Sequence, residues 1–162
     1  MYFKHNYEND SDVNMPHFIT DSFLFVPNVE IEVRMSTDFK SFNKLLTKFK
    51  TSPFFQYSYI EENDVFYSNK TRVTTFITPK KNNISIIKNP LWKYKNNLFS
   101  CVISTETKNI PCGNIEGKRF KKRHRFIYKY WCYDLTEVEQ MISGTTVKKY
   151  EIEIELYDIV HA

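Results

Sequence analysis

The chain has 162 residues, with 23 Lys and Arg against 19 Asp and Glu and a formal net charge of +4. Its 41% hydrophobic and 17% aromatic content is too rich for disorder, and the length suits one domain spanning residues 1–162. Only 3 Gly occur, and neither GxxxxGK[ST] nor GxGxxG is present, so nucleotide binding through either glycine loop is excluded. No apolar run approaches a membrane span, and MYFKHNYENDSD lacks the apolar core of a secretory signal, so no membrane partner is expected. Cys101, Cys112 and Cys132 show no CxxC spacing, which implies neither a disulfide framework nor a zinc site but reduced thiols in a cytosolic or nuclear compartment.

Residues 1–20 are polar and read as a loosely ordered lead-in. From Ser22 the segment SFLFVPNVEIEVRM is strand-like, alternating apolar with charged residues after Val29. Ser36 or Thr37 then caps a helix through TDFKSFNKLLTKFK, whose Phe39, Phe42, Leu45, Leu46 and Phe49 form one apolar stripe suited to core packing. Strands follow at Phe55–Ile60, Val65–Ile77, Asn83–Lys88, Leu98–Thr105, Lys118–Tyr130, Trp131–Glu137 and Thr146–Ile159. Turns are expected at EEND, TPKKNN, KNP, IPCGN and SGTT. Many short strands with one early helix predict an antiparallel barrel or sandwich.

Two segments carry unusual charge. YEIEIELY places Glu151, Glu153 and Glu155 on one strand face, about 6.6 Å apart, and VEIEVR does the same with Glu30 and Glu32 before Arg34. Either strand alone is consistent with a solvated face. Together, five glutamates on two strands require cationic neutralisation, and a hard divalent ion such as Mg²⁺ or Mn²⁺ with oxygen ligands meets that need. The four histidines, His5, His17, His124 and His161, are scattered and do not suit zinc. GKRFKKRHRFIYKY lies between the acidic strands; Arg119, Lys121, Arg123 and Arg125 share one parity. That segment reads either as a solvated edge strand or as a phosphate-binding surface. Arg72 and Lys88 add cations in strand-like contexts.

VEIEVR, the string WCYDLTEV at 131–138 and the terminal YEIEIEL, taken in order, resemble the tunnel-type RNA 5′-triphosphatases of mRNA capping, the triphosphate tunnel metalloenzymes. The resemblance runs from about Val29 to the last residues and suits a viral member, the N-terminal part of a multifunctional capping enzyme of the mimivirus kind, cut out as a domain. It implies a mainly β fold: an eight-stranded antiparallel barrel around a hydrophilic tunnel, with one or two packing helices. Under it Glu30, Glu32 and Glu155 hold Mg²⁺ or Mn²⁺, and Glu153, with Glu106, orients the attacking water. Arg72, Lys88, Lys121 and Arg123 hold phosphate oxygens. Glu151, Arg34, Asp134 and Thr136 support these groups. Where the family usually has an arginine two residues before the Asp of DLT, this chain has Cys132. A local alternative lets Thr136 cap a short helix over EVEQMIS.

The activity implied is metal-dependent hydrolysis of the γ-phosphate of triphosphate-ended nascent mRNA. Implied partners are 5′-triphosphate RNA, free NTP as a further substrate, and a guanylyltransferase in cis or in trans, with the chain a monomer. The location implied is a cytoplasmic viral factory or virion, or the nucleus for a cellular enzyme. Alternatives are a tunnel phosphohydrolase acting on NTP or inorganic triphosphate, and a non-catalytic basic β-domain that binds RNA. A cysteine phosphatase is rejected, because PCGNIEGKR lacks a His before Cys112 and spaces Arg119 one residue too far.

Overall fold

The computed structural model describes residues 29–142 and 145–156. The lead-in, residues 22–28 of the first expected strand and residues 157–159 of the last lie outside them. The described chain runs β1 (Val29–Thr37), α1 (Phe39–Lys50), β2 (Gln56–Tyr67), β3 (Thr71–Thr78), β4 (Ile84–Lys95), β5 (Ser100–Lys108), β6 (Ile115–Tyr128), β7 (Trp131–Ile142) and β8 (Thr145–Leu156). The strands close into one barrel in the order β1-β5-β4-β3-β2-β6-β7-β8, every neighbouring pair antiparallel. No helix among the described residues is long and apolar enough to cross a membrane.

The apolar core lies outside the barrel wall. Phe42 of α1 packs with Phe126 of β6 and Leu135 of β7, all fully buried, and Leu45, Leu46, Phe49, Tyr133, Tyr150 and Ile152 surround them. The α1 stripe thus covers the outer faces of β6, β7 and β8. Since side chains alternate across a strand, the same register sends the odd-numbered β6 residues and the even-numbered β7 residues into the barrel. An Ile152→Val variant should lose about 0.5 kcal/mol, the low end for Ile→Val because this side chain is only partly buried, measured as a shift in the urea midpoint at constant m-value.

Several expected boundaries are corrected. Asp38 caps α1 rather than Ser36 or Thr37, its Oδ1 accepting from the Ser41 amide at 2.9 Å. The expected Val65–Ile77 strand is broken at Ser68–Lys70, where Lys70 adopts φ 65°. EEND is no turn but the middle of β2, and KNP lies inside β4 beside a bulge between Pro90 and Trp92. EVEQMI continues β7, so Thr136 caps no helix. Of SGTT, Thr145 and Thr146 already belong to β8, while 143 and 144 lie outside the described residues. The basic segment forms β6, paired on both sides by β2 and β7, which removes the edge-strand reading.

Candidate active site

The acidic strands are neighbours. In the β1–β8 register Glu32 faces Glu155, Arg34 faces Glu153 and Ser36 faces Glu151. Glu32, Arg34, Glu153 and Glu155 line the barrel interior, with Glu32 and Glu153 buried, while Ser36 is exposed. Arg34 joins the two strands, its Nη2 lying 2.8 Å from both Glu32 Oε1 and Glu153 Oε1. Burial alone would lower the Arg34 pKa, but the charges of Glu153, Glu32 and Glu151 outweigh it and raise the value.

On β4, Lys88 faces Glu106 of β5, and its ammonium pairs with Glu30 and, at 3.0 Å, with Glu32 Oε2. Arg72 of β3 reaches Glu106 Oε1 at 3.1 Å. Burial and then the charge of Glu30 push the Glu106 carboxyl above its ordinary range, against the pull of Arg72 and Lys88.

The basic strand forms the other side of the lattice. Lys121 Nζ lies 2.6 Å from Asp64 Oδ2 and 3.2 Å from Glu62 Oε1. Arg123 reaches Glu62 at 3.0 Å and Asp134 at 2.7 Å, with Glu153 at 3.9 Å. Arg125 grips Asp134 with two bonds, Nε to Oδ1 at 2.9 Å and Nη2 to Oδ2 at 2.7 Å. Asp134 is 1% exposed. Its burial would raise the carboxyl pKa, but the hydrogen bond from Arg125 and the charges of Arg123 and Arg125 hold it below the usual range. Thr136 sits opposite Arg123 on one side and Glu151 on the other. Sequence reasoning missed Glu62 and Asp64, which it assigned to a turn. They share one parity with Ile60, and nothing local marks them as a strand face.

Arg125 bears on the Cys132 departure. Cys132 Sγ lies 3.5 Å from Asp134 Oδ1, and burial, then the Asp134 charge, push its thiol up to about 12. It is a neutral thiol, so it brings no positive charge. The guanidinium that holds Asp134 from this side comes from Arg125 on the neighbouring strand, at the position directly opposite Asp134.

A cavity of about 250 Å³ opens among these groups, lined by Glu30, Glu106, Glu155, Arg72, Lys121 and Arg123, and also by Arg125. The Nε donors of Arg34, Arg72, Arg119 and Arg123 are buried without a hydrogen-bond acceptor among the described residues. Such donors call for an oxyanion or water. The carboxylates suit a hard divalent cation by their chemistry. Glu155 is pushed up to about 7 by burial and by the Glu30 charge, and the Lys88 ammonium pairs with both Glu30 and Glu32. Among the described residues, the three ligand-type side chains whose donor atoms lie within 4.8 Å of one another are Cys132, Asp134 and Glu155. Asp134 in that trio is already committed to two arginines, and the expected ligands Glu30, Glu32 and Glu155 do not form such a group.

No protein-family model and no curated protein matches the chain. Its architecture is shared with solved RNA triphosphatases. The Pct1 RNA triphosphatase of S. pombe superposes with a TM-score of 0.71 at 20% identity, covering 88% of this chain and 77% of that one. The Mimivirus capping enzyme triphosphatase gives 0.68 at 15% identity, covering 88% and 87%. Pct1 has also been solved with the Spt5 CTD, again at 20% identity over 88% and 77%, with a TM-score of 0.69. The chain has the closed eight-stranded barrel fold of these RNA triphosphatases.

Proposed function

We propose that the protein is a metal-dependent RNA 5′-triphosphatase that releases the γ-phosphate of triphosphate-ended RNA at the first step of cap formation. One observation carries this reading: carboxylates of β1 and β8 and guanidinium and ammonium groups of β3 and β6 line one cavity, inside a barrel that shares its fold with solved RNA triphosphatases.

Glu30, Glu32 and Glu155 would hold Mg²⁺ or Mn²⁺. When bound, that ion would supply Lewis-acid polarisation of a phosphoryl oxygen. Arg72, Lys88, Lys121 and Arg123 bind the phosphate oxygens and stabilise the charge of the departing diphosphate. The cationic ends of Arg72, Lys121 and Arg123 are held beforehand by Glu106, Glu62, Asp64 and Asp134, and that of Lys88 by Glu30 and Glu32, so little reorganisation is needed as charge moves. Burial raises Glu153, but Arg123, Arg34 and Lys121 overcome it and keep this carboxylate ionised. Glu153 is therefore an acceptor that orients a water for in-line attack, with Glu106 beside the phosphates. The water oxygen bonds to the γ-phosphorus, the bond to the β–γ bridging oxygen breaks, and the water protons leave on phosphate and solvent. Arg125 is added to the expected set as the residue that holds Asp134. In this role the chain works beside a guanylyltransferase in cis or in trans.

Metal binding should strengthen as pH rises, because Glu155 is pushed up to about 7 and must lose its proton to serve as a ligand. The expected Mn²⁺ affinity near pH 6 is roughly tenfold below its plateau at higher pH. Titration calorimetry in two buffers of different ionisation enthalpy should show proton release, and a Glu155→Gln variant should lose both the pH dependence and most of the affinity. Equal affinity and no proton release across that range would remove Glu155 from the ligand set.

A further inference from the structure

The charged interior is interrupted on one side. Ile60 on β2, Phe76 on β3 and Ile84 on β4 line the same cavity as Arg72, Arg123 and Arg125. The three strands are consecutive around the barrel. Phe76 faces Glu62 and Thr74 faces Ile84, so Ile84 is a diagonal neighbour of the phenyl ring, while Ile60 lies just beyond the register shift at Glu61/Glu62. This wall is separate from the Phe42 cluster under α1. Ile84 remains 45% exposed, and Lys81 Nζ lies 5.9 Å from the Phe76 ring centroid.

An inorganic oxyanion gains nothing from such a surface. A nucleobase does: its flat face stacks on an aromatic ring, its edges lie against aliphatic groups, and a nearby ammonium tolerates the ribose-phosphate. The cavity of about 250 Å³ falls just below the ~300–1,000 Å³ range of ordinary small-ligand sites, so it suits a triphosphate group with the nucleoside at its edge. We propose that Phe76, flanked by Ile60 and Ile84, seats the first nucleoside of the substrate while its phosphates occupy the cationic lattice. The substrate class is thereby narrowed to nucleotide-ended triphosphates over inorganic triphosphate. This inference rests on the phosphate-binding reading above and adds a specificity determinant to it.

The test compares binding of two probes to the whole chain by calorimetry in the presence of Mg²⁺: a nucleoside triphosphate with an imido β–γ linkage, and inorganic triphosphate. Wild type should prefer the nucleotide, and Phe76→Ala should reduce that preference about tenfold or more, in line with base–aromatic stacking. Phe76→Tyr, which keeps the ring, should retain it. Ile84→Ser provides a second variant with a smaller loss of preference if the Phe76→Ala protein does not fold. Wild type binding both probes equally, or a preference unchanged in Phe76→Ala or, failing its folding, in Ile84→Ser, would overturn the nucleoside seat while leaving the phosphate lattice standing. Binding of neither probe would overturn the phosphate lattice and the seat together.

Discussion

Replacing Asp134 by alanine is expected to destabilise the protein by about 3–5 kcal/mol, the usual cost of removing one partner from a buried ion pair. The carboxylate accepts from both Arg123 and Arg125 at 2.7 Å, and its side chain is 2% exposed. Without it, two guanidiniums face each other in a closed barrel, and among the described residues Arg123 keeps Glu62 and the more distant Glu153 as counter-charges. Asp134→Asn should cost less, since the amide oxygen still accepts one bond. Chemical denaturation of the three proteins checks the order. An alanine variant within about 1 kcal/mol of wild type would show that the pair is not closed to water as described.

Glu153→Gln is expected to lower γ-phosphate release by about a hundredfold or more, mostly in kcat. Gln is nearly isosteric and keeps an oxygen that accepts from Arg34, so the lattice should survive. The charged oxygen that accepts a hydrogen bond from the water is lost, and the amide offers a donor to a water that must be held by an acceptor. Thermal unfolding should shift little, and a phosphate-release assay at saturating substrate reads the effect. A variant with wild-type kcat would remove Glu153 from the chemistry.

The acidic strands and the helix stripe were legible because parity on a strand and three- or four-residue steps on a helix survive any choice of which face is buried. What the pattern could not say was the direction of the faces. The usual assumption puts apolar residues inside and charge in water. Here Ile152 packs outward under α1 while Glu153 points in, so the basic β6 strand, charged on both faces, looked like an edge when it is enclosed by two neighbours. EEND reads as a turn from local preference, but Glu62 and Asp64 are held in β2 by Arg119, Lys121 and Arg123, partners 55 to 61 residues away. Such long-range pairing overrides propensity and leaves no local trace. The turn at Ser68–Lys70 was hidden for the opposite reason: it contains no glycine or proline, although Lys70 has a positive φ of 65°. The expected missing arginine at Cys132 had a substitute in plain view, since Arg125 shares the parity of Lys121 and Arg123, but only the β6–β7 register shows that it faces Asp134.

The most direct measurement is release of phosphate from the γ position of triphosphate-ended RNA, with Mg²⁺, with Mn²⁺ and with EDTA, for wild type beside Glu32→Ala. Glu32 faces Glu155 across β1 and β8 and shares Lys88 with Glu30. The account predicts release with either ion, none in EDTA, and a loss of about a hundredfold or more in the variant. Release that persists in EDTA, or that is indifferent to Glu32, would contradict it.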